Sequence, residues 1–169
     1  MNNQEPQQYA LQALPRWHPM GGVRRRLVRK GQPLPVVVNG DALDLQVALG
    51  PFTLLATSYD YFDGCHHWLY LLRWDGTLVD QLRMPDQFGY IQDVLVLADN
   101  DLSFGYLGTN DRWRLAISEQ GFRSFSPRAL LMRPNRFLFA RRHLLTQRTA
   151  GIPWSCPPED ASPGQPPGA

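Results

Sequence analysis

The chain has 169 residues, 43% of them apolar and 19% charged, with a net charge of +2. That length fits one domain with a core that needs no staples, and the composition excludes a wholly disordered chain. The small net charge hides an uneven one: residues 1–30 carry +5, residues 31–121 carry −8 and residues 122–169 carry +5, so basic ends bracket an acidic middle that either docks them or faces a partner.

Residues 1–35 read as an N-terminal arm. Gln7 to Leu14 suits a short helix that Pro15 would end, and Gly21-Gly22 is a flexible joint. The basic run Arg24-Arg25-Arg26-Leu27-Val28-Arg29-Lys30 reads as an edge strand or an arm, a solvated segment paired with the acidic middle, with nucleic-acid binding as the less favoured reading. The first 20 residues lack the charged start and apolar run of a secretory leader, and no stretch approaches the ~18 apolar residues of a membrane-spanning helix. A cytoplasmic protein is expected, with Cys65 and Cys156 reduced; a Cys65–Cys156 disulfide is the alternative.

From Val36 the pattern turns to period two, and residues 36–150 read as a single β domain. Val36-Val37-Val38 ends at an Asn39-Gly40-Asp41 turn. Leu43, Leu45, Val47 and Leu49 alternate with polar residues and Ala48. After Gly50-Pro51, Phe52 to Tyr59 forms the next strand, and Asp60 to His66 reads as a loop. Trp68 to Met84 is the strongest local signal: two β-type runs flank Asp75-Gly76, which predicts a two-residue hairpin turn. Trp68, Tyr70, Leu72 and Trp74 fall on one face of its first strand, with Leu69, Leu71 and Arg73 on the other.

A second series follows. Tyr90–Leu97 and Leu102–Tyr106 are strands joined by Asp99-Asn100-Asp101, and Arg112–Ser118 alternates most clearly of all, before a turn at Glu119-Gln120-Gly121 leads into Phe122–Phe125. The two series match in phase: Trp68 and Trp113 each precede a glycine by eight residues, and Phe52 and Leu54 correspond to Leu102 and Phe104. The first unit carries five extra residues before its tryptophan. Four short strands at a period near 45 residues resemble a β-propeller blade. The fold expected is all-β, with antiparallel meanders, as two four-stranded, propeller-blade-like units forming a sandwich or one strongly curved sheet. Arg136 to His143 supplies a further strand, and Pro157–Ala169 reads as a disordered Pro-rich tail.

The chemistry is sparse. Asp63-Gly64-Cys65-His66-His67 is the one cluster of metal-capable side chains, but it lacks a second ligand pair, and neighbouring histidines on a strand point apart. Cys65 beside His66 offers the residue types for nucleophilic catalysis without the geometry. There is no phosphate-cradling glycine loop. Neither an enzyme nor a metal or other cofactor is expected. Arginines beside aromatics, at Arg16-Trp17 and Arg136-Phe137, suit nucleic acid, but the acidic middle would repel a phosphate backbone.

A small cytosolic β-meander with Trp-rich strands, acidic turns and sixteen arginines to one lysine resembles bacterial toxin-immunity proteins of the contact-dependent or type VI secretion kind. The resemblance implies stoichiometric binding of a cognate toxin domain. On that reading the contact residues are Tyr59, Asp60, Tyr61, Phe62 and Asp63 in the inserted loop, with Asp99, Asp101 and Asp111 in the second unit, because aromatic anchors beside charges make binding hot spots. The alternative is a β-domain scaffold or accessory subunit of a larger assembly; a nucleic-acid-binding module and a hydrolase using the Asp63–His67 cluster rank below it.

Overall fold

The computed structural model describes residues 9–14, 24–62, 64–85, 89–123 and 141–149. These residues form eleven β-strands in three antiparallel sheets, and none of them is helical. The first sheet has the order β1 (Tyr9–Ala13), β2 (Arg24–Arg29), β3 (Gln32–Asn39). The second is a meander of β4 (Ala42–Leu49), β5 (Phe52–Tyr61), β6 (Gly64–Arg73) and β7 (Leu78–Arg83). The third is a meander of β8 (Ile91–Ala98), β9 (Asp101–Tyr106), β10 (Arg112–Phe122) and β11 (Arg142–Thr149).

The middle sheet carries an apolar cluster on each face. Leu54, Ala56, Leu69 and Leu71 meet Leu102, Phe104, Trp113, Leu115 and Ile117 of the third sheet. Leu55, Trp68, Tyr70 and Leu72 meet Tyr9, Leu27, Val36 and Val38 of the first. This is why β5 and β6 are apolar at consecutive positions and buried almost throughout. Each leucine hidden in this way contributes about 2 kcal/mol.

Two joints fix the sheets to one another. The buried Asp80 of β7 accepts from the backbone N–H of His143 and Leu144 on β11, at 2.7 and 2.9 Å, so one carboxylate occupies the edge of the third sheet where a partner strand would. On the other side, Asn39 N–H donates to the Tyr70 hydroxyl, and the Gln46 amide exchanges two hydrogen bonds with the backbone of Tyr9.

Several local expectations are corrected. Residues 9–13 are a strand, not part of a helix: Tyr9 and Leu11 bury one face against the middle sheet while β2 completes the ladder, and these contacts outweigh helix propensity. The basic run 24–29 is the central strand of its sheet, not an edge. β3 begins at Gln32, four residues before the predicted run, because Pro33 and Pro35 sit on an edge strand whose outer side needs no donors. The Asp75-Gly76 turn holds three residues: Arg73 and Thr77 close it, Gly76 takes φ +86°, and Trp74 leaves its expected strand face for solvent. Strand β10 continues through the predicted turn at 119–121 to Phe122. The expectations for Phe125, Leu130–Ala140, Cys156 and the tail at 157–169 lie outside the described residues.

Candidate functional site: the hairpin end of the middle sheet

The expected loop at 60–66 is instead the far end of a hairpin of two ten-residue strands. The ladder between β5 and β6 runs unbroken from Phe52↔Arg73 to Tyr61↔Gly64. Flanking strands stop earlier: β4 pairs no further than Ser58 and β7 no further than Trp68. Residues Tyr59–Tyr61 and Gly64–His66 therefore extend past both neighbouring strands as a two-stranded ribbon. The run Thr-Ser-Tyr-Asp-Tyr holds three strand formers at alternate positions, a signal that could have carried the strand past Tyr59. At the tip, Phe62 has a relative exposure of 107%, leaving its ring without a packing partner.

The ribbon has two unlike faces. On one, Tyr61 stacks on His66 at 4.4 Å between ring centroids, His66 meets the edge of Trp68 at 5.8 Å, and Arg83 donates to His66 Nδ1 at 3.0 Å. The other face looks toward the third sheet and is polar. The exposed Asp60 accepts from the Tyr90 hydroxyl. That hydrogen bond holds the Asp60 carboxyl below its ordinary value and raises Tyr90 above its own. Cys65 is buried opposite Asp60; burial, then the Asp60 carboxylate, pushes its thiol up to about 12.

Deeper on this face lies a buried polar cluster. A β-bulge at Asp44, between the pairs Leu43↔Thr57 and Leu45↔Ala56, moves Leu43 to one apolar cluster and Leu45 to the other and turns Asp44 inward. Its Oδ1 accepts from Ser58 Oγ at 2.9 Å. His67 is fully buried, stacks on Tyr106 at 4.8 Å and donates through Nε2 to the Gly89 carbonyl at 3.0 Å. Its Nδ1 faces Asp44 Oδ2 at 3.8 Å, beyond hydrogen-bond range, and neither atom has a partner. Burial drives the Tyr106 hydroxyl far above the usual phenol value. Among the described residues no three His, Cys, Asp or Glu side chains come together as a metal site would need. Sequence reading missed Asp44, Tyr90 and Tyr106; only their alternation phase was visible, and the bulge breaks it.

The eight predicted contact residues do not make one patch. Tyr59 is half-buried against the first sheet's cluster, and Asp60, Tyr61 and Phe62 stand on the ribbon; Asp63 lies outside the described residues. Asp111 belongs to the same end, in the β9–β10 turn, where a concavity of about 630 Å³ opens between Gln92, Asp93, Leu107 and Arg112. Arg148 binds it at 2.5 Å. Asp99 sits in the β8–β9 turn and Asp101 opens β9, at the opposite end of the sheet. Asp101 is buried and held by two groups of the Arg114 guanidinium. What the site offers is therefore an aromatic tip with Tyr90 and the exposed Leu107 behind it, more than a field of free carboxylates. Comparison with protein-family models, curated proteins and solved structures returned no match, so this end of the molecule is characterised by its own geometry.

Proposed function

We propose that this chain is a protein-binding module that inserts the β5–β6 ribbon into a concave surface of its partner. The observation that carries this is the solvent-exposed Phe62 at the tip of a hairpin that outruns both of its neighbours. A rigid aromatic anchor on a strand scaffold loses little entropy on docking, and aromatic residues are common hot spots. In its specific form the reading is an immunity-type inhibitor, cytoplasmic and not an enzyme, whose ribbon plugs a cognate toxin domain. The full burial of His67, beneath Tyr106 and the Gly89 carbonyl, favours binding over catalysis by the polar cluster. The two four-stranded meanders suit a pair of blade-like copies folded into a sandwich.

The test is co-expression with the product of the adjacent reading frame. A stoichiometric complex and rescue of cells carrying that product are expected, with Phe62→Ala weakening the complex at least tenfold at unchanged melting temperature. No complex and no rescue would overturn the reading. A second reading, an accessory subunit of a larger assembly, draws on β8: Leu95, Val96 and Leu97 are each more than half exposed on an edge strand. Concentration-dependent light scattering that Val96→Lys abolishes is its signature.

A further inference from the structure

We propose that the outward arginines of the first sheet, with the exposed Trp74 at that sheet's end, bind single-stranded nucleic acid. The sheet's inner side is set by the buried Leu27, so Arg24, Arg26 and Val28 of β2 point outward, and Arg24 and Arg26 are exposed. The register names their neighbours on that side. Gln12 and Val37 flank Arg26, Asn39 flanks Arg24, and Ala10 and Pro33 flank Val28. No carboxylate stands among them.

The contrast with the rest of the molecule is sharp. Arg112, Arg114 and Arg148 of the third sheet each pair with an aspartate: Asp93, Asp101 and Asp111. No ion pair joins Arg24, Arg25, Arg26 or Lys30 to an acid among the described residues. Uncompensated positive charge is thus gathered on one sheet. With a strand rise near 3.4 Å, cations at alternate positions repeat roughly every 7 Å along β2, which suits a ligand with regularly spaced negative charges.

An exposed indole stands at the β2–β3 end of the sheet. There β2 ends in the Lys30-Gly31 turn, and Arg29, which shares the inner side with Leu27 and lies 6.0 Å over the Tyr9 ring, donates to the Trp74 carbonyl and ties the β6–β7 turn to that end. Leu34 of β3 packs under Gly76 of the same turn. The Trp74 indole is left 70% exposed, next to the exposed Arg73. A cationic track with an open indole at its sheet's end is the arrangement by which single strands are held, with phosphates on the guanidinium groups and a base stacked on the ring. A three-stranded face is broader than the helix or two-stranded ribbon that a duplex major groove admits.

The acidic middle of the chain raises less of a barrier than its −8 implies. Asp44 and Asp80 are turned inside and Asp93, Asp101 and Asp111 hold arginines, while Asp75 stays exposed beside Trp74, with Arg73 as its neighbouring cation.

Anisotropy of a labelled 20-nucleotide oligothymidylate, titrated with the full chain at low and rising salt, tests this. Binding is expected with a log–log salt slope of about −2, as three phosphate contacts on a single strand give. Arg24→Glu with Arg26→Glu should lose at least tenfold in affinity and flatten the slope by about 1.4. Trp74→Ala should lose about tenfold with the slope unchanged, the mark of lost stacking rather than lost charge. Phe62→Ala should bind as the parent does, which separates this face from the ribbon. All these positions are exposed, so unchanged circular dichroism is expected throughout. No binding at low salt, an unaffected Trp74→Ala, or preference for phosphatidylserine vesicles over the oligonucleotide would overturn the proposal.

Discussion

Asp80 and Asp44 show how much of this fold hangs on single carboxylates turned inward. Asp80 serves three backbone donors, those of Gln81, His143 and Leu144. Asp80→Ala would leave them buried and unpaired, and should cost about 3 kcal/mol in a denaturant titration, whereas Asp99→Ala on the exposed turn should cost nothing measurable. Neither role was legible in the sequence, where Asp80 and Asp99 look alike: a strand aspartate declares its partner only once the other sheet is in place. Cys65 gives a pH prediction. Its folded thiol titrates near 12, above the unfolded value, so the folded state keeps a proton that the unfolded chain releases. Its contribution is complete below the ordinary thiol value and declines as pH rises from there toward 12. Native Cys65 should accordingly resist alkylation at pH 8 and react once urea unfolds the chain.

At the scale of elements, turns and alternation were readable and their departures were not. Every strand from β4 to β10 was visible as period-two patterning or a buried apolar run, because each has one or both faces in a core. The bulges at Asp44 and Val79 were invisible, since a bulge shifts the phase without changing composition. The five-residue excess in the first unit was visible as a loop insertion, yet it lengthens the β5–β6 hairpin. Being odd in number, it also turns Trp68 to the first sheet, while Trp113 faces the second. Gly89 illustrates a constraint of the same order. It sits at φ +77°, and a β-carbon there would strike the Leu107 carbonyl oxygen. Gly89→Ala should lower the melting temperature by several degrees and disturb Tyr90 beside it, detectable as a change in tyrosine fluorescence.

For the whole molecule, charge turned out to be arranged by sheet rather than by segment. Segment sums suggested that basic ends either dock on the acidic middle or leave it facing a partner; the first sheet does pack on the middle one and Arg148 of the C-terminal end does hold Asp111, but Arg112 and Arg114 neutralise aspartates of their own segment and Arg24 and Arg26 turn outward. Sums along the chain carry no information about which strand faces which, so this arrangement was beyond the reach of sequence.

The middle sheet has a consequence for how the chain tolerates change. Most strands of the other two sheets have a wet side where substitutions are absorbed (β9 is the exception), so a saturation scan should show intolerance at every other position there. Over residues 52–58 and 67–72, which are buried without a break, the scan should show a solid block instead. The same block makes the layers inseparable: deleting residues 1–39 would bare Leu55, Trp68, Tyr70 and Leu72 to water, and the remnant should bind hydrophobic dyes or precipitate instead of surviving as a smaller protein.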